Sequence, residues 1–223
     1  MNPEFGALFD MDGVLVDTNP THKQTILNFA HLHGLYPDDQ YLEEHVYGKI
    51  NREWIPALFG SHLSMETIDR LAEEKEQLFR RVYVSQMVPL PGLVSFLELL
   101  RGYGISVALA TSAPPENADF ILDGLGVRHF FDAIVHSGHV TKGKPDPDVY
   151  LTAAARLGMP PSRCLVLEDS LAGIAAGLEA GCKVIGLTTT HDRNEMNHAH
   201  LVIDDFNQLD LETCMQLFQD NPR

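Results

Sequence analysis

The sequence predicts an α/β protein: a core of parallel strands joined by helices, into which a helical segment is inserted. Three observations predict it. Over the C-terminal two thirds, short continuously apolar runs alternate with amphipathic stretches, the pattern of strands covered on both faces and linked by crossover helices. Between about residues 17 and 88 the apolar residues recur at helical spacing, with no convincing strand among them. A chain of 223 residues is long enough for one full-sized core, and a second small domain fits as an insertion better than as an appendage.

Strands are expected at residues 6–9, 106–110, 133–136, 164–167 and 183–187, each apolar throughout as in a sheet buried on both sides. Helices are expected at 93–101, 116–125, 147–157 and 171–180, with Gly102, Gly126, Gly158 and Gly181 as stop signals. In the insertion the clearest helix is 65–84, with Ile68, Leu71, Ala72, Leu78, Phe79 and Val82 on one stripe. The division that follows is 1–16 with 89–223 for the core and 17–88 for the insertion. Two crossings join them, at 14–20 and 85–91, and read as hinges, the second punctuated by Pro89 and Pro91.

Composition narrows the partners. With 44% hydrophobic and 21% charged residues the chain is an ordinary globular protein, which excludes disorder. A net charge of -15 with 16 Lys and Arg argues against nucleic acid, whose backbone is held by clustered cations. Cys164, Cys182 and Cys214 show no paired spacing, and free thiols in a reducing cytoplasm are expected. Met1-Asn2-Pro3-Glu4-Phe5 carries no basic segment ahead of an apolar run, and no apolar stretch reaches the roughly 18 residues of a membrane span. The expectation is a cytoplasmic monomer with neither a membrane nor a nucleic-acid partner.

In a parallel sheet, functional groups collect at the carboxyl ends of strands. After the first strand come Asp10 and Asp12, after the second Thr111 and Ser112, after the third Lys142 and Lys144, and after the fourth Glu168 and Asp169. Asp10 and Asp12, two apart on extended backbone, point to the same side. Two carboxylates so close call for a counterion, and oxygen ligands suit Mg²⁺, with Glu168 and Asp169 completing its shell. Each feature has a plainer reading beside this one. Asp12-Gly13 also fits a tight turn, Thr111 or Ser112 a cap for the helix begun by Pro114-Pro115, Asp146 a cap for the helix after Pro147, and Asp169 or Ser170 a cap for the helix at Leu171. Four loaded strand ends in one sheet favour chemistry over four independent caps.

These residues resemble, over the whole chain, the haloacid dehalogenase superfamily of phosphatases and phosphomutases, in its β-phosphoglucomutase-like branch. Residues 9–18, Phe9-Asp10-Met11-Asp12-Gly13-Val14-Leu15-Val16-Asp17-Thr18, fit the first motif of that family. Ala110-Thr111-Ser112 fits the second, Lys144-Pro145 the third and Leu167-Glu168-Asp169-Ser170 the fourth. The resemblance implies a Rossmann-like three-layer core with a helical cap inserted after the first motif. It also implies Asp10 as a nucleophile that forms an aspartyl phosphate, Asp12 as general acid and then base, and Thr111 and Lys144 on the phosphoryl oxygens. By the same resemblance Mg²⁺ is held by Asp10, the main-chain carbonyl of Asp12, Asp169 and Glu168, and Ser112 adds a main-chain donor. Dehalogenating relatives lack an acid at the position of Asp12, so phosphoryl transfer is favoured. A phosphorylatable regulator without turnover would also use an aspartate and a lysine, but needs neither a cap nor Asp12.

The insertion bears on the substrate. His22 falls on a stripe with Ile26, Phe29, Ala30 and His33, and Lys75 on the stripe of the long helix; both are expected to face inward. Either is a partly buried polar residue or a ligand-handling group. Mutases of the family carry a threonine, histidine and lysine matching Thr18, His22 and Lys75, and an arginine matching Arg52, although the spacing from Gly48 is one residue longer. Against a mutase, Ala113-Pro114-Pro115-Glu116-Asn117 stands where those enzymes have a Ser-Lys-Asn run for the remote phosphate. The expected reaction is hydrolysis of a small phosphorylated metabolite such as a sugar phosphate, with a sugar phosphomutase as the alternative.

Overall fold

The computed structural model describes residues 5–47 and 49–219. Met1 to Glu4 and Gly48, on which two of the expectations above fall, lie outside the described residues. The chain divides into two compact units, residues 1–17 with 87–223 and residues 18–86.

The first unit is a six-stranded sheet, parallel throughout, of β1 (Gly6–Phe9), β2 (Val107–Ala110), β3 (Ala133–Val135), β4 (Cys164–Glu168), β5 (Lys183–Leu187) and β6 (Leu201–Ile203). The order β3-β2-β1-β4-β5-β6 places the first strand at the centre. From there the chain proceeds outward to one side and then the other, and the crevice outside the carboxyl ends of β1, β2 and β4 is the switch point where ligands bind in such sheets. Register fixes the neighbours: Phe9 lies beside Leu109 and Leu167.

Alternation along each strand builds two cores. Leu8, Ala108, Val166 and Val184 face one side, where α7 (Asp148–Arg156) and α8 (Leu171–Glu179) cover them with Tyr150, Ala153, Ile174 and Ala176. Phe9 faces the other, against Phe96 of α5 (Leu93–Gly102) and Phe131 and Phe206, with ring centroids 5.9 to 6.2 Å apart. Full burial of each such side chain contributes about 1.5–3 kcal/mol, which is why runs this short suffice. The remaining helices of this unit are α6 (Pro115–Gly124) and α9 (Leu211–Gln219).

Differences from the sequence expectations are local. The second strand starts at Val107, the third stops at Val135 because His136 turns out to cap a 3₁₀ turn, and the fourth runs on to Glu168. The edge strand β6 was not anticipated, being three residues beyond a His- and Asn-rich stretch. Gly126, Gly158 and Gly181 do follow their helices, whereas Gly102 is the last residue of α5 and the left-handed position falls to Gly104. All three cysteines are free and buried. Among the described residues no helix is long and apolar enough to cross a membrane.

The second unit is helical: α1 (Asn19–Leu32), α2 (Asp39–His45), α3 (Asn51–Phe59) and α4 (Met65–Tyr83). Ser64 starts α4 by accepting the Thr67 N–H at 3.2 Å, and Asp38 does the same for α2 through Tyr41 N–H at 2.7 Å. Phe29, Trp54, Ile55, Ile68 and Leu71 form its core. On α4 the buried positions are Ile68, Leu71, Lys75, Glu76, Phe79 and Tyr83, and Ala72 and Leu78 pack partly buried against the same core, so Glu76 and Tyr83 join the expected stripe. His33 is exposed and pairs with Glu74.

Candidate active site

The fold gathers most of the predicted core residues at one point. The Asp10 N–H donates to the Leu167 carbonyl at 3.0 Å and the Thr111 N–H to Val135 at 3.0 Å, so the residues just past β1, β2 and β4 continue the sheet's register before the chain turns away. Asp10, Thr111, Glu168 and Asp169 are all buried, as is the side chain of Lys144. Lys144 Nζ lies 2.9 Å from Asp10 Oδ1 and 2.6 Å from Glu168 Oε1. Lys142, the other cation after β3, is exposed and pairs with Asp146. Asp12 and Ser112 are half-buried, and Asp12 pairs its backbone with Val16 in the turn that Gly13 makes at φ 74°.

Two glycines make room for carboxylates. A Cβ on Gly13 would stand 1.8 Å from Asp169 Oδ2, and one on Gly173 would stand 1.6 Å from Glu168 Oε1. Glu168 cannot yield easily. Besides Lys144 it accepts the Tyr150 hydroxyl at 2.8 Å and the Ser170 N–H and O–H at 2.8 and 3.0 Å. Alanine at 173 should gain roughly 1 kcal/mol in helix propensity, but contact at that distance outweighs it. Gly173→Ala is therefore expected to lower the melting temperature and to cost activity about tenfold or more; a more stable, fully active variant would contradict this packing.

Two of the plain readings are settled by geometry. Ser170, not Asp169, caps α8 by accepting the Gly173 N–H at 3.0 Å. The Thr111 hydroxyl accepts the Ala113 N–H and does not cap α6, whose N-cap is Pro114 with no side-chain bond. Asp146 does accept the Asp148 N–H at the start of α7. Two further site residues are new. Tyr150 reads in sequence as an ordinary core residue of α7. Thr190, whose hydroxyl donates to Asp169, follows β5 and would have been found by asking of the fifth strand what was asked of the other four.

Electrostatics follow from three buried carboxylates sharing one ammonium. Burial pushes Asp10 well above the usual carboxylate range; Lys144 opposes, and Glu168, Asp169 and Asp12 add to the rise. Burial, then the charge on Glu168, raises Asp169 to about 7. Burial also acts on Glu168, but Lys144, Ser170 and Tyr150 together hold it below its ordinary value. Burial would deprotonate Lys144, yet Asp10 and Glu168 keep it charged. The cluster is short of positive charge. Oxygen atoms of Asp10, Glu168 and Asp169 all lie within 4.8 Å of one another, with Lys144 the cation beside them. An all-oxygen, electron-rich set of this kind fits a hard divalent cation.

The helical unit holds the other predicted residues. Thr18 is buried at the N-cap of α1, and its carbonyl accepts the His22 N–H at 2.9 Å. Lys75 Nζ lies 2.9 Å from both His22 Nδ1 and Glu76 Oε1; it is 3% exposed and does not reach to solvent. Glu76 also accepts from Asn51 Nδ2 at 2.8 Å, and Asn51 from the Trp54 indole at 3.0 Å. Arg52 is exposed and pairs with Asp69. Burial raises Glu76, but Lys75, His22 and Asn51 outweigh it and bring it to about 2. A carboxylate lowered on folding adds stability above its unfolded pKa, and loses it as pH falls from about 4.5 to about 2. Glu76→Gln should thus cost roughly 3 kcal/mol at neutral pH, with wild-type and variant melts converging toward pH 2; a gap that persists there would contradict it.

The model of the family described as haloacid dehalogenase-like hydrolase matches residues 6–181. Hexitol phosphatase A of Escherichia coli is 33% identical over 207 residues, 92% of each chain. Beta-phosphoglucomutase of Bacillus subtilis is 35% identical over 191 residues, 81% of this chain and 82% of its own. A crystal structure of a HAD hydrolase of family IA, variant 3, from Entamoeba histolytica superposes with a TM-score of 0.90 at 28% identity, covering 97% of this chain and all of the other. The chain belongs to the haloacid dehalogenase-like hydrolase family, and is an enzyme of its phosphatase and phosphomutase kind.

Proposed function

We propose that the protein hydrolyses a small phosphorylated metabolite, such as a sugar monophosphate, through a phosphoryl group carried on Asp10. The observation that carries this reading is Asp10 itself: a buried carboxylate at the end of the central strand, 2.9 Å from a buried ammonium and followed two residues on by a second acid. In the first step an Asp10 oxygen bonds to the substrate phosphorus as the ester oxygen leaves, and the Asp12 carboxyl gives that oxygen its proton. In the second step the Asp12 carboxylate takes a proton from water. The water oxygen bonds to phosphorus, and Asp10 is released with inorganic phosphate.

Lys144 offsets charge on Asp10 so that a dianion can approach, and Lys144, the Thr111 hydroxyl and the Ser112 N–H hold phosphoryl oxygens. Asp10, Asp169, Glu168 and the Asp12 main-chain carbonyl would hold Mg²⁺, which supplies positive charge to the transferring group when bound. Thr18, His22, Arg52 and Lys75 contribute to recognition of the rest of the substrate.

Hydrolysis is favoured over transfer to a second sugar because Ala113-Pro114-Pro115 enters α6 with no side-chain cation for a remote phosphate. A screen of phosphate esters with Mg²⁺, including β-glucose 1-phosphate with glucose 1,6-bisphosphate, tests the reading. Release of inorganic phosphate is expected. Conversion to glucose 6-phosphate would make the enzyme a mutase, and stable phosphorylation without turnover would make it a regulator.

A further inference from the structure

The loop that ends β2, Thr111 to Ala113, is held from behind by a turn that contains two histidines. The Thr111 N–H donates to the Val135 carbonyl and the Ser137 N–H to the Ala113 carbonyl, each at 3.0 Å, so the residues on either side of His136 grip both ends of the loop. Little burial holds the turn itself: His136 is half-buried, and Ser137, Gly138 and His139 are exposed. A reciprocal pair of caps holds it instead. His136 Nδ1 accepts the Gly138 N–H at 3.2 Å, and His139 Nδ1 accepts the His136 N–H at 3.3 Å. A backbone N–H can only donate, so both Nδ1 atoms are unprotonated and each neutral ring carries its proton on Nε2.

Asparagine or glutamine could accept these bonds at any working pH. An imidazole accepts only while neutral, because a proton on Nδ1 sets a donor against a donor. The two rings lie with centroids 3.7 Å apart. From α7 the Arg156 guanidinium, anchored to the Ile134 carbonyl at 2.6 Å, brings positive charge to both. From α6 Asp119 and Glu116 bring negative charge to His136. Burial, then His139 and Arg156, outweigh those two acids and lower the His136 pKa; burial and Arg156 lower that of His139. A histidine lowered in the closed turn binds protons more readily once the turn opens, so acid favours the open form as pH falls below the ordinary value of 6.5.

We propose that His136 and His139 are positioning residues for phosphoryl binding, and that protonation of their capping box loosens the Thr111 to Ala113 loop and weakens the hold on phosphate in mild acid. The inference rests on the phosphoryl-transfer reading above, through the Thr111 hydroxyl and the Ser112 N–H. Both imidazoles act through the backbone, without contact to the reacting atoms.

The test sets the wild type against the double variant His136→Asn with His139→Asn, which keeps an acceptor at each Nδ1 position and nothing that titrates. His139→Phe, which keeps a ring and removes an acceptor, is the third protein. Comparing proteins at one pH cancels the titration of the substrate and of the carboxylates they share. For p-nitrophenyl phosphate with Mg²⁺, kcat/KM of the wild type and the Asn pair should agree at about pH 7.5, and the Asn pair should lead by about fivefold or more at about pH 5.5, chiefly in KM. His139→Phe should bind substrate more weakly than the Asn pair at both pH values. Parallel pH profiles for the wild type and the Asn pair, or a Phe variant with the wild-type KM at neutral pH, overturn the proposal.

Two readouts need no turnover. Calorimetric binding of inorganic phosphate with Mg²⁺ should weaken in acid more for the wild type than for the Asn pair. Amide hydrogen exchange at Ser137, compared at about pH 5.5, should be about fivefold or more faster in the wild type; equal exchange overturns the proposal. If the Asn pair does not fold, His139→Gln alone, the usual residue at that place of a capping box, should show the same differences at smaller amplitude. Absence of turnover on every ester would sink the hydrolase reading, while phosphate binding and exchange at Ser137 would still decide the role of the two histidines.

Discussion

Asp10→Asn is expected to abolish turnover of every phosphate ester, by at least about a thousandfold, and yet to leave a folded protein more stable than the wild type without added metal. The two effects have one cause. Asp10 is buried among Glu168, Asp169 and Asp12, and its pKa stands well above the usual range because the fold disfavours its charge. A carboxylate raised on folding weakens the protein as pH rises through its folded pKa. Asparagine is the uncharged isostere and removes that burden; the lost ion pair with Lys144 opposes, but burial is the larger influence and Glu168 still holds the ammonium at 2.6 Å. A nucleophile that cannot form an acyl phosphate ends the chemistry. Thermal melts and ester assays at neutral pH check both halves, and an active or markedly destabilised Asn variant would contradict the account.

Lys144→Met should give the other large effect, in the opposite sense for stability. Its side chain is the single cation within contact of Asp10 and Glu168 among the described residues. Removing one partner of a buried ionic cluster costs about 3–5 kcal/mol, because the carboxylates left behind repel in a medium that screens them poorly. Activity should fall about a hundredfold or more, since Lys144 also neutralises the approaching phosphoryl group. The instability should lessen as pH falls, because Asp10 and Asp169, both raised on folding, bind protons more readily than they do unfolded. Excess divalent cation should restore part of the stability without restoring turnover. Melts as a function of pH and metal decide this, and a Met variant as stable as the wild type at neutral pH would show that the ammonium is not what balances the cluster.

The sequence carried the sheet and the strand-end residues because both depend on local, continuous signals. An apolar run four residues long and covered on both sides is legible at Gly6–Phe9, and the polar residues just beyond it must lie at its carboxyl end. What escaped depends on tertiary contact. Tyr150 sits among Val149, Ala153 and Ala154 on the buried face of α7, and nothing in that pattern tells a core tyrosine from one whose hydroxyl anchors Glu168. Thr190 is intermediate: its place after β5 points to the three threonines Thr188 to Thr190, and the contact with Asp169 singles out the last of them.

Glu76 was hidden for a different reason. Helical periodicity marks which face is buried, but it sorts charged residues to the outside by default, and so Glu76 was passed over beside an inward Lys75. Only the partner on α3, Asn51, makes its burial intelligible. Strand β6, three residues at the sheet edge, is short enough for its pairing with β5 to define it where composition does not.

The most direct test of the central claim is to quench the enzyme during turnover of a good ester with Mg²⁺ and locate the phosphoryl group by mass spectrometry. The account predicts one added phosphoryl group on the peptide that contains Asp10 after acid quench and peptic digestion, labile at alkaline pH and missing from Asp10→Asn. Steady turnover with no such adduct, or an adduct on any other residue, would contradict it.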